Sequence, residues 1–373
     1  MADTVIIVIA AMAFAIGLFS ALQLALRHSW ASSPTLPLAI FLILCALSAG
    51  GTILGPMGTY TQMPWLIGLI WVTSLFYGPA ILAYVRAMTT TPDQVWTLKR
   101  VGMLSAPAIL AALLASVFFI LPAQTQLGIY NGQSQGAVAW LELGFIALFL
   151  IVTLGYLGEA FRALSRHMRH VREVFSNIED RTLNWLRWLL IVMLLAWAWG
   201  MIKSAIGFNA DQAAGLDIAG GVMELVWIGA VGLFGTWQRP IFTGETAIES
   251  EAGVAEKYAR SSLPDERQHE IAQKLDRIMR AETLYRDPLL SLSTLARRLG
   301  VSANHLSQTL NDHLGVSFFD YINRLRVEEA LTEIRESEAS LLTIAYGVGF
   351  NSRSTFNAAV KKHTGKAPSA FRQ

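Results

Sequence analysis

One stretch of this chain is written twice. Ser291-Leu292-Ser293-Thr294-Leu295-Ala296-Arg297-Arg298-Leu299-Gly300-Val301 returns as Ser340-Leu341-Leu342-Thr343-Ile344-Ala345-Tyr346-Gly347-Val348-Gly349-Phe350. After one inserted residue the match resumes, with Ser302, Leu306, Leu310, His313 and Gly315 answered by Ser352, Phe356, Val360, His363 and Gly365. Each copy places a Ser at a helix N-cap, apolar residues at three- and four-residue spacing, a Gly just past the last periodic position, and then a second Ser-capped helix. That pattern predicts a helix-turn-helix, the geometry that presents a second helix to a DNA major groove. One copy alone reads equally well as an ordinary helical hairpin. Two copies in one frame, with a long helix from Phe318 to Arg335 between them, weigh against that plainer reading.

The residues also carry a family likeness. Leu299-Gly300-Val301-Ser302-x-x-His305-Leu306-Ser307 is its first part, and Gly315-x-Ser317-Phe318-Phe319-x-Tyr321-Ile322-Asn323-x-x-Arg326-x-x-x-Ala330 its second. Ile344-Ala345-x-x-x-Gly349-Phe350-x-Ser352-x-Ser354-x-Phe356, with Lys361-Lys362-x-x-Gly365-x-x-Pro368-x-x-x-Arg372, completes it. Together these resemble the DNA-binding domain of the AraC/XylS transcription regulators, over the C-terminal portion of the chain only. The resemblance departs from the commoner pattern at Gln308 and Ala358, where many relatives carry a basic residue, and at Leu310 and Val360, which replace aromatics. Base preference therefore does not transfer from relatives.

In each unit the second helix is expected to enter the major groove, with Asn304, Ser307 and Gln308 facing base edges from the first and Arg353, Ser354 and Asn357 from the second. Arg suits guanine O6 and N7, and Asn and Gln suit adenine. Lys361, Lys362 and Lys366 are expected at phosphates, helped by helix N-termini. From Leu341 onward the charges are all basic, whereas the first reader helix holds Asp312 and neither Lys nor Arg. The second unit should then supply most of the salt-dependent affinity.

The rest of the chain is of another kind. Of 373 residues, 53% are hydrophobic and 15% charged, with a mean hydropathy of +0.44, too apolar for a water-soluble protein of this length. Seven segments have the roughly 20 apolar residues that a membrane-crossing helix needs: Thr4–Leu26, Leu36–Leu54, Pro64–Val85, Val101–Leu121, Ala137–Gly158, Trp185–Gly207 and Leu216–Trp237. The expected fold is all-α, a seven-helix transmembrane bundle (residues 1–239), a linker (240–263) and a cytoplasmic DNA-binding domain (264–373) of two helix-turn-helix units joined by a long helix. The first apolar segment lacks a basic leader and a small-residue cleavage site, so it reads as a retained span.

Loop charge sets the orientation. Arg27, then Arg86, Lys99 and Arg100, then Arg162, Arg166, Arg169, Arg172 and Arg181, then Arg239 fall on one side, while Gly55–Met63, Pro122–Gly136 and Phe208–Gly215 contain neither Lys nor Arg. The positive-inside rule puts the basic side in the cytoplasm of a bacterial inner-membrane protein, the N-terminus outside and the C-terminal domain inside. The basic run from Arg162 to Val174 reads as a juxtamembrane anchor at anionic headgroups. Its His167 and His170 have no carboxylate or cysteine at ligand spacing, so no metal is expected. Pro79 and Pro107 should kink their spans.

The lone cysteine, Cys45, sits in an apolar run, which excludes an intrachain disulfide and reads as an inert thiol. Pro264 to Thr283, with Ile271, Leu275, Ile278 and Met279, reads as an amphipathic helix that either packs on the DNA-binding domain or pairs with a second copy.

Ionisable residues inside spans are costly and often functional. Lys203, Glu142 and Glu224 fall roughly 6, 8 and 12 Å from the outer ends of their segments, at 1.5 Å per residue. They form either a polar ligand pocket or a structural ion pair. The leading function is a membrane-bound one-component regulator whose binding to double-stranded DNA answers a small or lipophilic signal sensed in the bundle, with the lipid bilayer and a second subunit as further partners. No cofactor is expected, and neither HExxH nor a Gly-rich phosphate loop suggests an enzyme. The alternative is a transporter or membrane enzyme with an appended regulatory tail.

Overall fold

A computed structural model describes residues 2–26, 35–89, 98–179, 183–206, 210–237 and 263–372. These are almost entirely helical and divide into two compact units, Met1–Leu164 with Leu183–Phe242, and Ser165–Thr182 with Thr243–Gln373.

The first unit contains α1 (Ala2–Leu26), α2 (Leu36–Leu54), α3 (Thr59–Gln62), α4 (Trp65–Ser74), α5 (Tyr77–Thr89), α6 (Leu98–Ala115), α7 (Ala123–Tyr130), most of α8 (Ala137–Val174), α9 (Asn184–Ile206) and α10 (Ala210–Trp237). Six helical stretches among the described residues are long and apolar enough to cross a membrane: Ala2–Leu26, Leu36–Leu54, Trp65–Thr89, Lys99–Ile120, Ala137–Val174 and Gly215–Trp237. The expected span Trp185–Gly207 falls on α9, of which Asn184–Trp199 is a shorter apolar stretch. Of the expected linker (240–263), residues 240–262 lie outside the described residues.

Trp65–Thr89 is broken between α4 and α5. Leu75 and Phe76 tighten to i−3 carbonyls, Val72 and Thr73, and Pro79 in the first turn of α5 has no N–H to offer the carbonyl of Leu75. Pro107, by contrast, is accommodated inside α6.

Helices α1, α2 and α10 pack together through small residues. A Cβ on Gly232 would meet the Ser20 hydroxyl at 2.3 Å, so only glycine allows α1 and α10 this approach. Around them lie Phe41, Tyr77, Trp197 and Trp227, with Phe41 edge-on to Tyr77 at 5.9 Å and to Trp227 at 5.4 Å, and Tyr77 stacked on Trp197 at 6.4 Å. The outward faces are also apolar, with Phe19, Leu110 and Ile151 more than half exposed. A water-soluble bundle would carry polar residues there.

Helix α8 has 38 residues, about 57 Å at 1.5 Å per residue, nearly twice a hydrocarbon thickness of about 30 Å. Its last turns belong to the second unit. That unit continues with α11 (Asp265–Glu282), α12 (Leu292–Leu299), α13 (Ala303–Gln308), α14 (Phe318–Glu336), α15 (Leu341–Gly347) and α16 (Arg353–Thr364). Helix α11 packs on the first helix-turn-helix unit, the first of the two roles its sequence allowed. Ile271, Leu275 and Met279 join Leu295, Leu299, Leu306 and Leu310 in one core, and the Lys274 ammonium caps the Leu299 carbonyl at 2.7 Å. A second core gathers Val327, Ala330 and Ile334 of α14 with Ile344, Val348, Phe350, Phe356 and Val360.

Candidate nucleic-acid interface

Each half of the duplication is built by the same local chemistry. Ser291, Ser302, Ser317, Ser340 and Ser352 are all N-caps in extended backbone, and each hydroxyl accepts from the backbone N–H three residues on, Thr294, His305, Asp320, Thr343 and Thr355, at 3.1 to 3.3 Å. These bonds satisfy donors that the first turn of a helix leaves orphaned. The turn after α12 is closed by Gly300 at φ 67°. Its counterpart Gly349 has φ 99° and a second constraint, since a Cβ there would meet the Arg286 carbonyl at 2.6 Å. Both units thus place a short capped helix, a tight turn and a second helix in the order that the repeat predicts.

The second helices differ. Helix α13 runs only six residues before it widens into a π turn over Thr309–His313, where Leu314 N–H reaches the Thr309 carbonyl and Val316 N–H the Leu310 carbonyl. Helix α16 is a continuous twelve-residue α-helix that ends at Gly365, φ 76°. Leu310 and Val360, which stand where relatives carry aromatics, are both core residues, 1% and 0% exposed.

On α13, Asn304, Ser307 and Gln308 are half-buried; the Asn311 amide donates to Ser307, and the Gln308 side-chain carbonyl is buried without a partner. On α16, Arg353, Ser354 and Asn357 are exposed, as are Lys361 and Lys362. Ser354 is tied to the cap, its hydroxyl 2.9 Å from that of Ser352. The Lys362 ammonium pairs with the Asp320 carboxylate at 2.6 Å, so one of the three lysines expected at phosphates already has an anion from the linking helix. Lys366 is exposed in the loop beyond Gly365.

Arg326 of α14 holds the unit together. Its side chain is 1% exposed, and among the described residues no carboxylate forms an ion pair with it. Instead the guanidinium donates to the carbonyls of Tyr285 at 2.6 Å, Asp287 at 3.0 Å and Ser176 at 3.2 Å, and lies 5.6 Å over the Phe350 ring. Burial lowers its pKa to about 10, partly opposed by the charge of Asp287, so it stays cationic at neutral pH. The family likeness includes Arg326, but periodicity does not reveal its buried role.

The intramembrane residues are less closely linked. Glu142 on α8 and Glu224 on α10 are both half-buried, and among the described residues no hydrogen bond or ion pair joins them. Glu224 is within electrostatic range of Cys45 and Tyr77. The Lys203 side chain lies outside the described residues. No cluster of three or more metal-ligating side chains occurs among the described residues.

Known proteins match the C-terminal part. A family model described as a helix-turn-helix domain covers residues 295–373. The C-terminal domain of AraT, a response regulator from Geobacillus stearothermophilus, is 27% identical over 27% of this chain and 82% of that one, with a TM-score of 0.25. The transcriptional regulator GlxA of Rhizobium meliloti is 33% identical over 25% of this chain and 28% of its own length. "Probable transcription factor PqrA" of Proteus vulgaris is 33% identical over 90 residues, which are 24% of this chain and 74% of that protein. With three quarters of that relative matched, and the capped double unit present in the fold, this chain belongs to the AraC/XylS family of helix-turn-helix transcription regulators.

Proposed function

We propose that this transcription regulator works from the membrane: the first unit is embedded in the bilayer and senses a small or lipophilic signal, and the second reads DNA in the cytoplasm. The observation that carries the reading is the joining, on one chain, of a capped double helix-turn-helix to helices whose outward faces are apolar. Exposed tryptophans near helix ends support it. Trp65 and Trp140 begin α4 and α8, Trp188 lies in the first turns of α9 and Trp237 ends α10, as expected of interfacial belts. Seven spans, with α9 as the sixth, satisfy the loop-charge rule with the N-terminus outside and the reader inside.

Asn304, Ser307, Gln308, Arg353, Ser354 and Asn357 read base edges, and Lys361 holds a phosphate. Exposure favours the second unit as the main contact. In the bundle, Glu224 is the leading signal-sensing group, with Glu142 and Lys203 as its partners.

Two measurements on the full chain test this. A membrane-impermeant label on an added C-terminal cysteine should react only after the cells are opened; labelling of intact cells removes the cytoplasmic reader. Chromatin capture should place the chain at discrete promoters, and occupancy that responds identically to every condition in wild type, Glu142→Gln and Glu224→Gln would remove the proposed pocket.

A further inference from the structure

The segment Ser165–Thr182, which follows the long apolar part of α8 and leads to α9, belongs to the same compact unit as the two readers. Three sets of contacts hold it there. Val171, Phe175 and Ile178 are buried, with Phe319 of α14 packed against them and the Arg172 guanidinium 5.9 Å over the Phe319 ring. The Ser176 N–H donates to the Leu290 carbonyl at 3.3 Å, beside an antiparallel bridge between Phe175 and Ser291, the N-cap of the first unit. The Ser176 carbonyl in turn accepts from buried Arg326.

The third contact is at the second reader helix. The hydroxyls of Ser352 and Thr355 both donate to one carboxylate oxygen of Glu179. Ser352 is the N-cap of α16, and the exposed base-reading candidates Arg353 and Ser354 follow it directly. A helix N-terminus, positive by its dipole, with two hydroxyl donors beside it is a seat for an anion. On a reader helix the natural anion is a DNA backbone phosphate. Here the seat is filled by a carboxylate from the chain's own loop, and two anions do not share one seat.

We propose that Glu179 is an internal stand-in for a DNA phosphate, and that the loop between α8 and α9 holds the second reader helix shut against DNA until the loop is released. The inference rests on the reading of α16 as a DNA-contacting helix. It also supplies a route for the signal: the loop continues covalently into two apolar helices of the first unit, so a shift in either one pulls on Phe175, Ser176 and Glu179 together. Release of Ser176 takes two acceptors from Arg326, its carbonyl and its hydroxyl, which ties loop opening to α14, the helix between the two helix-turn-helix units.

The test uses the full chain in lipid nanodiscs and a fluorescein-labelled 30-base-pair duplex pool, both of random sequence and after enrichment on the wild-type chain. Glu179→Gln and Glu179→Ala should bind about tenfold more tightly than wild type, the size of one charge-assisted contact no longer spent in the free state. Glu173→Gln, an acid in the same segment with no hydrogen bond or ion pair to the readers among the described residues, should bind as wild type does. Equal affinity of wild type and both Glu179 variants overturns the proposal, as does an equal gain in Glu173→Gln.

Hydrogen exchange on the wild-type chain gives an independent readout: DNA should speed exchange at the Ser176 amide, and slowed or unchanged exchange in the bound complex also overturns the clamp. Should none of the chains bind duplex, it is the DNA-reading assignment that has failed, and the clamp falls with it.

Discussion

The two helix-turn-helix units share their caps and turns and differ in nearly everything that meets a partner. The first is buttressed by α11, carries half-buried polar side chains on a short reader helix and ends in a π turn. The second stands on α14 and the C-terminal turn, exposes Arg353, Asn357 and Lys361 on a longer helix, and has an acid seated at its N-terminus. Duplication kept what the backbone requires, a hydroxyl cap and a residue at positive φ. Side chains that face outward were free to diverge, because the local energetics of the helix do not depend on them. In the proposed function the second unit supplies affinity and is the one controlled, and the first adds register.

The comparison can be broken most severely at Arg326, which touches elements of both units. Arg326→Met should cost about 3 kcal/mol, since the buried Ser176 carbonyl and the part-buried carbonyls of Tyr285 and Asp287 all lose a charged donor. Arg326→Lys should recover little, because an ammonium cannot span the fork. Thermal unfolding of the second unit, followed by hydrogen exchange, measures both; a loss under 1 kcal/mol would show that the hub is dispensable.

Next in size is the independence of the two cores. Leu306→Ala and Phe356→Ala, at matched positions with both side chains fully buried, should each cost about 2 to 5 kcal/mol. Exchange should rise chiefly over Leu292–His313 in the first case and Leu341–Thr364 in the second. A uniform rise in either variant would mean one cooperative unit rather than two.

The readers themselves should differ by a smaller margin. Arg353→Ala should lose about 1 to 3 kcal/mol of operator affinity and relax the preference at one base pair, whereas Asn304→Ala loses less. Lys361→Ala should lower the salt slope by about one, and Lys362→Ala by less because Asp320 already pairs with it. Fluorescence titrations at several salt concentrations decide this, and equal losses in the two units would erase the proposed division of labour.

The smallest expected effect is on pH dependence. Burial, followed by the neighbouring Lys362 charge, holds the His363 imidazole below its ordinary value of 6.5. The unfolded chain then binds more protons than the folded one at acidic pH, so the second unit should weaken as pH falls through about 6.5 and regain stability above it. His363→Gln should flatten that slope in melts between pH 5 and 7.5.

Much of this architecture was legible in the residues. The four serine caps of the duplicated units, the long linking helix and the apolar helices follow from short-range rules, hydroxyl to N–H three residues on and apolar spacing along one helix, and these hold wherever the sequence puts them. The break before Pro79 was foreseeable as a kink, for the same local reason. The π turn in the first reader was not, because Thr309–His313 has ordinary helical spacing.

The run from Arg162 to Val174 read as a lipid anchor because its basic residues dominate the pattern. Its buried partners Val171, Phe175 and Ile178 are spaced as any amphipathic turn would space them, and nothing nearby in sequence names Phe319 as what they meet. Likewise Glu179 looks like any loop acid until Ser352 and Thr355, distant in sequence, are brought to it. The sequence alone determined the long helices, the serine caps of the duplicated units and which part is greasy, since caps and periodicity are set by neighbours within four residues, while the short helices α3 and α7 fall in segments that read as loops. Only the tertiary structure decided which loop lies on which reader and what fills the seat at its N-terminus, because those bonds join residues whose separation along the chain carries no periodic signal.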